Sequence, residues 1–573
     1  MKRWLLLLVA VGVLGLWIPA GASAHAVITS TAPARDARLD SAPTRVEAAF
    51  NEAVSSGFGA LRVFDSDGRE VQDGATVHPA SAANRISVPL RNETPDGAYT
   101  ATYRVISADG HVVSGGWGFI VGKGQASSTP AVAELVAGRQ APPVTEILLG
   151  IARGFQFAAI AVFLGAFFVL LATWPRARTR AGEPHSDEWD SALLTRIRRI
   201  AATGAAAGFV SAAAGVALSG AQTAGFGPER ALEGSLLNES LATRFGLLWA
   251  IAAGLWACCL VLSLLTTRPG RAPWLIWTPV IAGAPIVLLP ALSGHAAQQS
   301  PAAVMVGANV VHVAAMAVWV GGVAALLLAA LPTATRLKPA SAIRMRAALV
   351  RTFSPAATWA VALVLLTGIL QSYVEVATPG NLFTTAFGRV VLVKTALLVA
   401  IVGLAAYQRR RLFPRLDGIA SGARPAEGAA VILRRFLAGE VFLMAAALAA
   451  TAALSGMAPA TATPAGPVYR ETAIGPLEMQ LNLNPAMTGV NQTHIYLTSA
   501  RNGAQFDGAR EVSIELSMPE RNLGPIRATA LKAGPGHFIA PASVPVAGDW
   551  RLTVVVRVSD FDEYRSDLGV PIG

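Results

Sequence analysis

Apolar and polar residues alternate with a period of two along residues 25–123, as in Thr44-Arg45-Val46-Glu47-Ala48-Ala49-Phe50 and Tyr99-Thr100-Ala101-Thr102-Tyr103-Arg104-Val105. Asp67-Gly68, Asp73-Gly74, Asp96-Gly97 and Asp109-Gly110 punctuate the runs. Short alternating runs between turn signals predict an all-β sandwich. A linker over 124–145 follows, rich in Ser, Pro and Ala. From 146 to 456 the pattern changes to long apolar runs near 146–173, 200–219, 243–266, 274–292, 302–331, 356–374, 388–407 and 436–456. A bilayer needs about 20 residues per helical span, so the expectation is a polytopic α-helical membrane domain of about eight spans. A second Pro/Ala/Thr linker at 457–467 leads to 468–573, where alternation returns, as in Trp550-Arg551-Leu552-Thr553-Val554-Val555-Val556. That region predicts a second sandwich, so an extracellular all-β domain is expected on each side of the membrane helices.

Residues 1–24 read as a cleaved signal peptide: Lys2 and Arg3, an apolar core from Trp4 to Ile18, then Ala22-Ser23-Ala24. Cleavage there makes His25 the first residue of the mature chain. The competing reading, a first transmembrane helix, meets a core that is short for a span and is followed by polar, strand-like sequence.

Composition agrees with a membrane protein carrying soluble parts: 53% hydrophobic, 14% charged and a mean hydropathy of +0.49. A net charge of +11 raises nucleic acid as a partner, and the placement of the charges removes it. Arg and Lys crowd alternate loops: Arg176 to Arg199, Arg268 and Arg271, Arg336 to Arg351, and Arg409 to Arg435. Gly220–Thr243 has only Arg230, and Ser293–Pro301 has neither Arg nor Lys. This positive-inside pattern puts both termini on the extracytoplasmic side of a cell membrane, independently of the signal peptide. The two cysteines, Cys258 and Cys259, are adjacent in an apolar run and predict packing rather than a disulfide. Neither a Gly-x-x-x-x-Gly-Lys-Ser/Thr loop nor an Asp-Lys-Thr-Gly motif occurs, so an ATP-driven pump or other enzyme is not expected.

Metal ligands are the chemistry that remains. A chain starting at His25 offers an α-amine, whose pKa of about 7.7–8.0 makes it easy to deprotonate, and an imidazole. Asp109-Gly110-His111 adds a carboxylate and a second imidazole, which share a face if the segment is extended. Three nitrogens and one oxygen suit tetragonal Cu(II); a plain turn at Asp109-Gly110 and a frayed His25 is the other reading of the spacing. In the fifth run, Met305, Asn309, His312 and Met316 recur at four, three and four, forming one helical stripe. Imidazole binds both copper states and thioether favours Cu(I). An ionisable residue inside a span marks a functional site by default, against the alternative of a packed His and gap-filling Met. His295 sits at the outer mouth of the fourth run. Lys394 and Arg389 are expected to pair with Glu375 or lipid phosphate, and His78 to be a solvated surface residue.

Three regions of the chain carry a resemblance to known families. His25-Ala26-Val27-Ile28-Thr29-Ser30-Thr31-Ala32-Pro33, Phe50-Asn51-Glu52-Ala53-Val54 and Ser107-Ala108-Asp109-Gly110-His111-Val112-Val113-Ser114-Gly115 resemble CopC, the extracytoplasmic copper-binding sandwich. The resemblance implies Cu(II) held by His25, Asp109 and His111, with Glu52 at the family's acidic position behind the ligands. Residues 25–124 contain no Met, so the Met-rich Cu(I) site of some CopC proteins is not expected. Leu292-Ser293-Gly294-His295-Ala296, His312 with Trp319-Val320-Gly321-Gly322, and Phe387-Gly388-Arg389 leading to Lys394 resemble CopD, the multi-span partner of CopC, here fused to it. The membrane path for copper that the resemblance implies, suited to Cu(I), runs through His295 and His312, with Met305 and Met316 beside them. Gly534-Pro535-Gly536-His537-Phe538 and Ala547-Gly548-Asp549-Trp550-Arg551-Leu552 resemble the YtkA-like sandwich, where Met518 and His537 could form a soft site or serve structure alone.

Three functions compete. A transporter would collect Cu(II) outside and pass copper inward through the spans. A storage, delivery or resistance protein would hand copper to other extracytoplasmic copper proteins, with the spans as an anchor. A copper-reducing membrane oxidoreductase would need haem, and paired axial His on facing spans are not evident. His312 deep in a span favours transport.

Overall fold

The computed structural model describes residues 26, 28–34, 37–91, 94–107, 112–122, 141–265, 276–297, 299, 301–335, 339–376, 378–414, 418, 429–457, 459–460, 468–484, 486, 489–546 and 548–572. They fall into a helical unit and a β unit.

In the helical unit the long apolar runs become α1 (Pro143–Ala181), α2 (Asp187–Ala224), α4 (Arg244–Leu265), α6 (Ala302–Ala334), α7 (Ser341–Val376), α8 (Ala386–Leu412) and α9 (Leu433–Leu454), with a short α3 (Gly234–Ala242) between the second and third. Among the described residues these seven long helices are long and apolar enough to span a bilayer. The remaining run of the expected eight, placed at 274–292, is α5 (Thr278–Ser293), a shorter segment in which a 3-10 stretch separates two α-helical pieces. The reason is local: Pro285 and Pro290 each remove a backbone donor from the helical ladder, whereas Pro279 sits in the first turn, where no donor is lost. Its length of about 24–27 Å is less than the hydrocarbon thickness of about 30 Å.

Several long helices run past their apolar windows into the Arg-bearing loops. Trp174–Ala181 continues α1 to a left-handed Gly182, and α2 opens on Ser186, whose side chain caps Trp189 N. Arg178 and the Trp174 indole both bind Asp190, at 2.7 Å each. Arg198 donates to the carbonyl oxygens of Ser263 and Leu264 at the end of α4, where a cation meets the negative end of the helix. Apolar side chains left on the outside of the bundle, such as Val399, Phe442 and Ile369, are what a lipid-facing surface requires.

Small residues set the closest helix crossing. α6 departs from α-helical pairing at Ala317–Gly321, a π-turn packed on α1. A Cβ on Gly321 would collide with the Ala161 carbonyl oxygen, and one on Gly165 with the Gly321 backbone. Backbone cannot give way there as a flexible side chain could. Gly321→Ala is therefore expected to lower the melting temperature of the purified chain, by the 1–3 kcal/mol or more (roughly) that overpacking costs. Gly403→Ala on α8, where a Cβ meets nothing, should leave stability the same or raise it by up to about 1 kcal/mol. Equal behaviour of the two variants would remove this crossing as a determinant of the fold.

The β unit contains two sandwiches, as the alternation predicts. In the first, one sheet has the order β1 (Ile28–Ala32), β3 (Arg45–Phe50), β5 (Arg85–Pro89), and the other β2 (Arg38–Leu39), β7 (Val112–Val121), β6 (Gly97–Ile106), β4 (Leu61–Phe64). Phe50, Tyr99, Tyr103, Trp117 and Phe119 fill the space between them, and the buried Trp117 indole donates to the Pro33 carbonyl at 3.1 Å. In the second, a five-stranded sheet has the order β13 (Leu531–Gly534), β14 (His537–Val544), β10 (Gly489–Ser499), β9 (Leu477–Asn484), β8 (Val468–Ile474). The facing sheet runs β12 (Leu523–Thr529), β11 (Glu511–Met518), β15 (Gly548–Arg557), β16 (Glu563–Ile572). Its core holds Ile495, Leu497, Ile514, Leu516, Phe538 and Trp550. Neither sandwich contains a cysteine, so burial between the sheets carries their stability.

Candidate functional site: two regions

The first region lies at one edge of the N-terminal sandwich. His25, Asp109 and His111 fall outside the described residues, and Glu52 is half-buried in the turn after β3. The backbone around them is informative. Ile28 pairs with Phe50, Val54 bridges Ser107, and Ile106 pairs with Val112. Ser55 N donates to the Ile106 carbonyl at 3.0 Å. The strand that begins just after His25, the turn that carries Glu52, and the two ends of the 108–111 connection therefore meet at one place. Sequence alone joins these residues only through a family resemblance; strand register brings their flanks together physically. His78, expected to be solvated, has its Nδ1 2.7 Å from the Arg85 carbonyl oxygen.

The second region lies between α6 and α7. Asn309 donates to Gln371 Oε1 at 3.2 Å, and Gln371 in turn donates to the Thr367 carbonyl at 3.1 Å. His312 Nδ1 is 2.9 Å from Thr367 Oγ1. The Thr367 hydroxyl has one proton, and it is directed at the Leu363 carbonyl, 2.6 Å away. Thr367 Oγ1 therefore accepts from His312 Nδ1–H, which leaves Nε2 as the nitrogen with the free lone pair. Metal-binding histidines are commonly oriented in this way, by a hydrogen bond at the other ring nitrogen. Gly368 on α7 faces the ring, and a Cβ there would meet His312 Cε1 at 3.6 Å, an ordinary contact.

Charge surrounds this imidazole. Lys394 on α8 interacts electrostatically with both His312 and Glu375, and Gln299, buried before α6, is a further polar neighbour of Glu375. Lys394 and Glu375, expected to pair from sequence, thus influence each other electrostatically. Met305 is buried and Met316 packs against the helical core; on this stripe the polar contacts are those of Asn309 and His312. His295 opens a 3-10 turn directly after α5, and its side chain lies outside the described residues. Sequence reading missed Thr367, Gln371 and Gln299. Thr367 is 55 residues from its partner, and a hydroxyl in an apolar helix gives no signal until the neighbouring helix is known. Cys258 and Cys259 are free thiols, as expected, the first exposed on α4 and the second buried.

In the C-terminal sandwich the structure separates Met518 from His537. Met518 is buried in the core on β11, with its methyl group against Gly548. His537 begins β14 in the opposite sheet and points to its outer face, where its neighbour is His494. The soft site suggested for Met518 with His537 is not assembled.

Comparison with known proteins now adds the family. Residues 28–122 match the CopC domain, 144–304 the N-terminal domain of copper resistance protein D-like proteins, and 347–454 copper resistance protein D. The two membrane matches thus include α1 to α5 and most of α7 to α9. The chain is 30% identical over 415 residues, 71% of each sequence, to the copper transport protein CutJ of Bacillus subtilis. Its N-terminal part is 29% identical over 98 residues to protein YobA of Escherichia coli K12, covering 79% of that protein and 17% of this chain. Among solved structures, CopC from Methylosinus trichosporium OB3b is 23% identical over 18% of this chain and 99% of its own, with a TM-score of 0.16. The chain belongs to the family of CutJ, the copper transport and resistance proteins in which a CopC domain is fused to a CopD membrane domain.

Proposed function

We propose that this chain captures Cu(II) on the extracytoplasmic side at His25, Asp109 and His111 and moves copper inward through the membrane domain past His295 and His312. The observation that carries the reading is the orientation of His312. An anchor has no use for an imidazole held inside a span with one nitrogen tied to Thr367 and the other left as a donor. Buried polar groups in a bilayer are costly, and this one is arranged to bind. Glu375 acts electrostatically on Lys394, which reduces the repulsion that a cation reaching Nε2 meets from that ammonium. Copper resistance by extracytoplasmic storage or delivery to other copper proteins is the second reading; it needs the outer site and leaves the α6–α7 arrangement without a task.

Cellular copper, measured with and without the chain, separates them. A rise with the chain supports inward transport, a fall means export, and no change favours storage or delivery.

Topology has its own test. With both termini extracytoplasmic, Leu232→Cys, at an exposed position just before α3, should react with an impermeant maleimide in intact cells. Glu188→Cys, in the first turn of α2, should react only after lysis. The reverse labelling would invert the orientation. It would also mean that the Arg-rich loops do not face the cytoplasm.

A further inference from the structure

The outer face of the five-stranded C-terminal sheet carries a histidine pair that no copper region above uses. Tyr496 pairs with His537 across β10 and β14, and His494 lies two residues before Tyr496, on the same face. His494 Nδ1 and His537 Nε2 are 3.1 Å apart. Their ring planes differ by 17° and their centroids are 5.4 Å apart. That separation is what the N···N distance gives when an imidazole radius is added end to end on each side. Both nitrogens and both ring centres therefore lie on nearly one line. Tyr496 stacks on His537 at 4.3 Å and 10°, fixing that ring and placing an electron-rich face against it. His494 is 9% exposed, so the pair is not a chance meeting of solvated side chains.

Asn482 is directly across from His494 on β9. Its Oδ1 is buried and has no hydrogen-bond partner among the described residues. Such an oxygen is costly unless something supplies a donor or a positive charge.

We propose that His494 and His537 form a copper(I) site in which the ion sits on the line between the two nitrogens. A d10 cation accepts two collinear nitrogen donors, and imidazole is a suitable ligand for copper. Nitrogen–metal bonds of about 2.0 Å require the nitrogens to part by a little under 1 Å, within the reach of a small rotation of one side chain. The two N–Cu bonds replace one hydrogen bond. The proton between the rings moves to the far nitrogen of its own ring, so two neutral imidazoles hold the ion and the pair releases no proton. Asn482, paired with His494 across β9 and β10, brings an unsatisfied acceptor to the same face. The proposal rests on the copper-handling reading only for the choice of metal. It gives the C-terminal sandwich a role of its own, as a second extracytoplasmic holder that takes the reduced ion.

Two variants test it on the full-length purified chain. His537→Gln and His494→Asn place an amide near the relevant ring nitrogen, so they can preserve the hydrogen bond and the packing while removing a copper ligand. Copper(I) is titrated anaerobically against a competing chelator. Each variant should hold one fewer Cu(I) per chain than the parent, with that equivalent weakened at least about a hundredfold. Melting temperatures without metal should be unchanged. The copper K-edge spectrum of the parent should show a two-coordinate component that both variants lack. An unchanged Cu(I) count in the variants, with the edge component retained, overturns the site and leaves a hydrogen-bonded pair that only stabilises the sheet. A chain with His312→Ala should keep this equivalent, so failure of the membrane path and failure of this site give different results.

Discussion

One added residue before His25 is expected to weaken Cu(II) binding by the N-terminal sandwich by roughly two or more orders of magnitude. The proposed site uses the α-amine of His25, which exists only after cleavage behind Ala24. A preceding Gly turns that amine into a peptide nitrogen, a poor ligand unless deprotonated, and carries the free amine away from the imidazole. Structural metal sites are worth about 10–16 kcal/mol over four ligands. The loss of one arm of a chelate therefore costs several kcal/mol, and each 1.4 kcal/mol (about) is a factor of ten. The experiment suits residues 25–124 alone, because that sandwich has its own core and resembles a curated protein that is little longer than the domain. The unmodified fragment should bind one Cu(II), with a type-2 electron paramagnetic spectrum coupled to nitrogen. The fragment starting Gly-His25 should lose affinity and keep its melting temperature without metal. Equal affinity in the two fragments would show that the amine is not a ligand, and the site would then rest on Asp109 and His111.

The two ends of this chain were unequally legible in the sequence. Strand alternation placed β15 well, because one face is buried between the sheets and the other is largely not; β6 alternates in sequence although both of its faces are buried. The apolar runs marked the membrane helices but underestimated their length. Hydropathy measures the thickness of the hydrocarbon, whereas the helical ladder continues wherever nothing breaks it, as at Trp174–Ala181 and in the first three turns of α2. The fourth run read as a full span because hydropathy does not register Pro285 and Pro290 as interruptions. Arg198 was read as charge that sets topology, and in the fold it also caps α4. That second role depends on where another helix ends.

The chemistry followed the same division. Met305, Asn309, His312 and Met316 could be placed on one stripe from their spacing. Which ring nitrogen of His312 is free could not, since Thr367 decides it from the next helix. Met518 and His537 looked like partners by residue type, yet they belong to opposite sheets. His494, the residue that does meet His537, is 43 positions away and was passed over. Both cases turn on helix or strand pairing between distant segments, which residue spacing along one segment does not contain.

His312→Ala is expected to abolish the chain's effect on cellular copper while leaving Cu(II) binding by the outer sandwich intact. The two regions belong to separately cored parts of the chain, so their losses should separate. Alanine removes the only imidazole on the α6 stripe and leaves a methyl group in its place; nothing else on that stripe offers a nitrogen lone pair. Thr367 refines the test. Thr367→Val keeps the shape but takes away the acceptor that holds the His312 Nδ1 proton, so Nε2 is no longer reserved for the metal. Partners of this kind are typically worth about 10–100-fold in affinity or activity, and a transport loss of that size is expected. Thr367→Ser restores the hydroxyl and should restore transport. A purely structural His312 predicts otherwise: His312→Ala would lower the melting temperature, and any chain that still reached the membrane would transport copper normally. Uptake of radioactive copper per unit of membrane-inserted chain, measured for His312→Ala, Thr367→Val and Thr367→Ser, decides between the two. Normal uptake by inserted His312→Ala would take the residue off the copper path, whatever the outer sandwich binds.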